Sequence, residues 1–269
     1  MTSFDNRTFL NRAGLDPLQQ VADRSRRQGD LHLICEVGGL TLGYCYIRKN
    51  ACSSFKRLFI EHADVPYDPA VHPRKIDFMI AHQMMRSADA PRCDRIVFVY
   101  RDPFARAASL YKNKFVTRDG HEDIFASYAA ITGRDPDTAS FRDFVELYLR
   151  PDMRDLDPHV APQAAHLKRF RYTDAIPIGD LHGRMTEILG ADLADAYFKR
   201  PVNATRSTRT IDDPGMAELP ARDLAKAFAE CDEMPSDAAL LIPPLHARLA
   251  DLYAADVALI AAVEARAPG

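Results

Sequence analysis

The segment RIVFVY at residues 95–100 constrains the fold more than any other stretch of the chain. After Arg95 it is continuously apolar or aromatic, and a strand of this kind is buried on both faces, as strands of a parallel sheet are. It ends at Arg101-Asp102-Pro103, after which Phe104, Ala108, Tyr111 and Phe115 recur at helical spacing. Asp102 suits the N-cap of that helix and Pro103 its first turn. A second strand reads as TLGYCYI at 41–47, after the turn signal Gly38-Gly39. It runs into the polar stretch 48–54, and Phe55, Leu58, Phe59 and His62 then mark a helix. DFMIA at 77–81 predicts a further buried strand that ends at His82. A helix after residue 163, a short strand near 175–178 and a helix over 181–189 follow. Phe141, Phe144, Val145 and Tyr148 line a helix over 140–149, opened by Ser140 and Asp143 as an approximate capping box. The C-terminal part is helical. Residues 1–30 read as an irregular or helical lead-in to one domain over 31–269. Strands alternating with helices predict an α/β fold of three layers around a central, mostly parallel sheet.

The 269 residues suffice for a large core without disulfides or metal. The formal net charge of -3 excludes a surface that coats nucleic acid throughout, while leaving room for a local basic pocket. Five cysteines, none in C-x-x-C spacing, fit neither a zinc ribbon nor a disulfide framework and read as buried thiols of a reducing compartment. No apolar run approaches the ~20 residues of a membrane span, and the first 30 residues carry no signal-peptide core. Together with 27 arginines against eight lysines, these features predict a cytoplasmic, bacterial-type protein with no integral membrane segment.

In open α/β sheets ligands bind at the carboxyl ends of the strands, and two such ends here are basic. The first is RKNACSSFKR at 48–57. A strand-to-helix loop directs backbone N–H groups and the helix dipole to one point, which favours an anion. Arg48, Lys49, Lys56 and Arg57 add positive charge, and Ser53 and Ser54 add hydroxyls. A Walker loop needs glycines to wrap phosphate, and none occurs between Arg48 and Arg57. The second is Arg101, with Ser109, Lys112 and Lys114 on the helix beyond; arginine suits bidentate phosphate contact. Taken alone, the first is equally readable as an ordinary helix start, and the second reads better as a scaffold ion pair between Arg101 and Asp102 or a nearby acid.

Together they resemble the carbohydrate (family 2) sulfotransferases, which use 3′-phosphoadenosine-5′-phosphosulfate (PAPS). Members carry P-K-x-A-C-[TS]-x-[WF]-K-R, matched by RKNACSSFKR, and F-V-R-[DE]-P-F-x-R-x-x-S-x-Y-x-N-K-F, matched by FVYRDPFARAASLYKNKF at 98–115. DPHVAPQ at 157–163 is similar to the family's D-x-H-W-x-P-Q, and LYAAD at 252–256 to its L-Y-x-x-D. The chain departs from the pattern at Arg48 for Pro, at Asn50 where Thr or Val is common, at Val160 for Trp, and by Tyr100 inserted before Arg101.

The resemblance implies the P-loop-NTPase-like sandwich of the sulfotransferase fold and transfer from PAPS to a hydroxyl of a small-molecule or glycan acceptor. Adenosine 3′,5′-bisphosphate is then the product, and no metal is required. Lys49 would neutralise the leaving 5′-phosphate, within a loop of Arg48, Lys49, Asn50, Ala51, Cys52, Ser53 and Ser54, with Lys56 and Arg57 nearby. Arg101 and Ser109 would hold the 3′-phosphate. The polar loop bearing Asn203, Arg206, Ser207 and Arg209 would close over the donor. His82 is the preferred general base by likeness to the strand-end histidine of heparan-type members, and His159 its rival. Tyr111 and Phe115 read as core. Two other readings share the architecture: a nucleotide-binding module without turnover, and a Mg²⁺-dependent P-loop kinase.

Overall fold

The computed structural model describes residues 3–13, 31–153, 155–169, 171–200 and 209–266. The chain forms two compact units, one of residues 1–101, 163–203 and 258–269, the other of residues 102–162 and 204–257.

The first unit is built on a four-stranded sheet. β1 (Phe4–Asp5) and α1 (Asn6–Ala13) precede it; β2 is His32–Val37 and β3 Leu40–Cys45. Gly38 and Gly39 join β2 to β3, with φ of 60° and 80°. Two successive left-handed positions make the tight hairpin turn that suits strand twist, and glycine takes them without a Cβ penalty. After β3 come α2 (Cys52–Glu61), α3 (Lys75–Gln83) and β4 (Arg95–Tyr100); β5 (Arg171–Tyr172) and β6 (Asp174–Pro177) complete the strands used here. The sheet order is β2-β3-β4-β6. β2 lies antiparallel to β3, whereas β3–β4 and β4–β6 are parallel, with Tyr44 opposite Val97 and Val99 opposite Ile176. A mixed α/β architecture with a mostly parallel central sheet is therefore present, as the alternation predicts.

Burial explains why these segments became strands. Val97, Phe98 and Val99 are fully buried in the middle of the sheet. Tyr44 stacks on Phe55 of α2, centroids 3.8 Å apart and planes within 7°, a pair worth about 1 kcal/mol beyond its area. That contact pins α2 to the strand that feeds it. Phe4 pairs with Tyr172 as β1 adds antiparallel to β5, and the Asn6 amide donates to Leu167 O (3.1 Å) and Lys168 O (2.7 Å). Residues 4–13 of the expected lead-in are thus tied into this unit.

Three expectations are corrected. DFMIA is not a strand but lies within α3. Phe78, Met79 and Gln83 are buried while Ile80, Ala81 and His82 are exposed, a helical period that a four-residue apolar run cannot reveal by itself. β2, absent from the sequence reading beyond its Gly-Gly turn, occupies the sheet edge instead. The helix expected after residue 163 is only a 3₁₀ turn, Gln163–His166.

The second unit is mostly helical. Asp102 caps α4 (Pro103–Tyr111), its Oδ1 accepting from Ala105 N at 2.7 Å. Ser140 and Asp143 form the expected capping box, but the helix they open passes into a π-helical turn over Phe144–Tyr148. Tyr111 and Phe115 are fully buried and stacked 5.1 Å apart, with Tyr128, Phe141, Phe144 and Tyr148 around them. The five cysteines are free thiols; Cys35 and Cys45 are buried, Cys52 and Cys93 partly so, and Cys231 is exposed, against the expectation that all would be interior.

Candidate functional site

The loop leaving β3 is the most constrained part of the first unit. Lys49 and Ala51 adopt φ of 69° and 58°, left-handed conformations that cost an L-residue roughly 1–2 kcal/mol each. Between them Asn50 has an ordinary negative φ. Asn50 N turns back to Ile47 O at 3.3 Å, and turns that enter left-handed space are where anion-binding concavities form. The absence of glycine, read as evidence against a Walker loop, does not prevent that excursion; the chain makes it with Lys49 and Ala51.

Ala51 also serves as N-cap of α2, and no side chain caps that helix. The backbone closes its first turn instead: Ser54 N and Phe55 N turn back to Ala51 O at 3.0 and 3.5 Å. Arg48, Lys49, Cys52, Ser53 and Lys56 are partly exposed, while Asn50 and Ser54 are buried. The Arg48 guanidinium lies over the Tyr46 ring, 5.6 Å from its centroid. Arg57 is used by the scaffold: it stacks on Tyr197 at 4.8 Å, donates to Ala196 O and lies 3.7 Å from Glu61.

The loop is held from below by a buried polar network. Asn50 Nδ2 donates to Val99 O (2.8 Å) and to Gln163 Oε1 (2.5 Å). Gln163 Oε1 also accepts from Arg101 N (3.0 Å), and its Nε2 donates to Arg101 O (2.8 Å). The first basic strand end and the second are thus joined through one amide side chain, which the sequence reading quoted within DPHVAPQ without giving it a role.

His82 occupies the last turn of α3 rather than a strand end. It is exposed, with the His72 ring 5.4 Å and the Phe78 ring 4.8 Å away. Two residues on, Met84 bridges Leu33, whose partner in β3 is Tyr44. The end of α3 therefore lies level with the carboxyl end of β3, on the far side of β2.

In the second unit Ser109 is partly exposed on α4, beside the buried Ala108 and Leu110. His159 is held more firmly. Its Nδ1 lies 2.6 Å from Asp157 Oδ1, its backbone N donates to the same oxygen at 2.8 Å, and its carbonyl accepts from Arg106 Nη2 at 3.1 Å. Asp157 and Arg106 are buried. A carboxylate only accepts, so Nδ1 carries the proton and Nε2 is left as the basic nitrogen. Asp157 N donates to Tyr148 Oη at 3.0 Å, and Tyr253 Oη donates to Val160 O at 2.9 Å, which fastens the 157–160 turn to the core. Burial pushes the Tyr148 phenol up to about 12, so it stays protonated at neutral pH.

Arg209 lies on a short strand, Arg209–Ile211, with Glu233 3.2 Å from its guanidinium. Asn203, Arg206 and Ser207 lie outside the described residues. Among the described residues no group of three or more His, Cys, Asp or Glu is placed to hold a metal ion, and no helix is long and apolar enough to cross a membrane.

Comparison with known proteins adds one match. A family model described as "Sulfotransferase family" covers residues 39–180, more than half of the chain. No curated protein and no solved structure gave a significant match.

Proposed function

The chain belongs to the sulfotransferase family, and from that premise we propose that it transfers the sulfuryl group of PAPS to a hydroxyl of a small-molecule or glycan acceptor. The observation that carries the reading is the turn at Lys49–Ala51, two left-handed non-glycine residues at the uncapped head of α2. Strain of this size persists where the surroundings impose it, and it clusters at ligand clamps. The residues fit a phosphate-bearing donor, since backbone N–H groups, a helix N-terminus and the Lys49 ammonium all favour an anion.

Transfer forms a bond from the acceptor oxygen to sulfur and breaks the bond from sulfur to the 5′-phosphate oxygen. Negative charge then gathers on the departing phosphate. Lys49 and the amides at the head of α2 offset that charge, and preorganised donors of this kind do not have to reorient during the reaction. Arg101 and Ser109 are assigned to the 3′-phosphate. The acceptor's proton passes to a histidine, and His159 has the geometry of a general base: Asp157 fixes its tautomer and stabilises the imidazolium that forms. His82, preferred from the sequence, lies exposed between the rings of His72 and Phe78.

Calorimetry with adenosine 3′,5′-bisphosphate against 5′-AMP tests the donor assignment. Tighter binding of the bisphosphate is expected; equal affinity defeats it. His159→Ala is expected to lower the transfer rate by about 10² or more, with His82→Ala within about threefold of wild type. The opposite ranking moves the base to His82. Bisphosphate binding with no turnover on any hydroxyl acceptor would favour the non-catalytic module.

A further inference from the structure

We propose that Gln163 is a positioning residue that sets the 5′ cradle and the 3′-phosphate arginine in one fixed relation, so that the protein reads both ends of its donor together. The inference rests on the donor assignment above and goes beyond it, because Gln163 is given no contact with the donor.

Gln163 is fully buried. Its amide bonds both backbone polar atoms of Arg101, accepting from N at 3.0 Å and donating to O at 2.8 Å. That pairing copies what a neighbouring strand would supply, at the point where β4 has ended and its ladder to β6 stops at Tyr100. Without it Arg101 loses both of these backbone bonds. The same Oε1 accepts from Asn50 Nδ2 at 2.5 Å, and Asn50 separates the two left-handed residues of the cradle. Asn50 Nδ2 also donates to Val99 O on β4. The cradle is therefore referenced to β4 twice, once directly and once through Gln163, whereas the Arg101 backbone has two bonds to Gln163 itself. Loss of the amide should relax Arg101 more than the cradle.

The asymmetry gives a readout that simple destabilisation does not move, namely discrimination between adenosine 3′,5′-bisphosphate and 5′-AMP. Calorimetry of both nucleotides on the full chain, with thermal unfolding alongside, compares wild type with Gln163→Met, which keeps length and volume and removes the polar atoms. The expected result is a preference for the bisphosphate that falls by about tenfold, the size of two ordinary hydrogen bonds, while 5′-AMP affinity changes less. An unchanged preference, even with a lowered melting temperature, would overturn the proposal and leave Gln163 a packing residue. If Gln163→Met does not fold, Gln163→Glu is read in the same way. It keeps an oxygen for Arg101 N–H and sets a second acceptor oxygen against Arg101 O in place of a donor, so a loss of about threefold or more is expected, and none overturns the proposal. Wild-type protein with no preference for the bisphosphate would defeat the donor assignment itself, and the proposal with it, in a measurement that involves no variant.

Discussion

Two helices of this protein each begin directly after a strand segment of the parallel sheet, and their first turns are built in opposite ways. α2 starts at Cys52 behind Ala51 with no side-chain cap, after a loop that twice enters left-handed space. α4 starts at Pro103 behind Asp102, whose carboxylate takes the N–H of Ala105, while Pro103 brings no N–H at all. The first helix has no side chain at its cap; the second has a carboxylate there. An anion at α2 is read by the backbone with Lys49 beside it. An anion near the start of α4 must instead be read by side chains, and a carboxylate at the cap would repel it unless a cation outweighs it. The sequence supplies that cation one residue earlier, as Arg101.

The largest effect expected from this contrast is at Lys49. If the cradle stabilises the leaving phosphate, Lys49→Ala lowers kcat by about 10²–10³, the cost of removing one preorganised donor, with a smaller change in adenosine 3′,5′-bisphosphate affinity. A Kd effect that matches the kcat effect would make Lys49 a ground-state anchor only, and would erase its difference from Arg101. For Arg101→Ala the pattern reverses. Bisphosphate binding should weaken by about 10–100-fold, as for a charge-assisted hydrogen bond, and 5′-AMP binding should hardly change. Equal losses for the two nucleotides would show that Arg101 does not read the 3′-phosphate.

Much of this contrast was legible in the sequence. RIVFVY announced a doubly buried strand, Asp102-Pro103 announced the cap, and RKNACSSFKR placed cations at a strand exit. The rest was not, for identifiable reasons. No residue type signals left-handed backbone at Lys49 and Ala51, because glycine is the usual marker and neither position carries one. Gln163 was visible within its motif, but its partners Asn50 and Arg101 lie 113 and 62 residues away, and only the fold brings them to it. α3 was misread as a strand because a run of four apolar residues satisfies either period. The pairing of His159 with Asp157, by contrast, was available from spacing alone, since Asp-x-His places a carboxylate within reach of both the histidine's N–H and its ring.

The cap at α4 yields a smaller and purely structural effect. Asp102→Ala should cost about 1 kcal/mol in denaturant unfolding, the usual value of an N-cap, and leave the preference for bisphosphate over 5′-AMP intact or slightly improved. A collapse of that preference would mean that Asp102 orients Arg101, and the two helix starts would no longer divide cleanly into ligand-bearing and self-capped.

The smallest effect is expected at Ala51, and it has the opposite sign. Ala51 holds φ 58° and ψ 20°, so replacing it by glycine removes a left-handed penalty of roughly 1–2 kcal/mol and adds roughly 0.5–1 kcal/mol of backbone entropy to be lost on folding. The net gain for Ala51→Gly is about 0.5–1 kcal/mol in urea unfolding. The same change in α4, at Ala107, where the backbone is ordinary helix, should instead destabilise by about 1 kcal/mol. If both glycines destabilise, the cradle is not strained. If Ala51→Gly stabilises while kcat falls, the methyl group contributes to holding the amides in place, and the strain at the head of α2 is part of how the loop meets its anion.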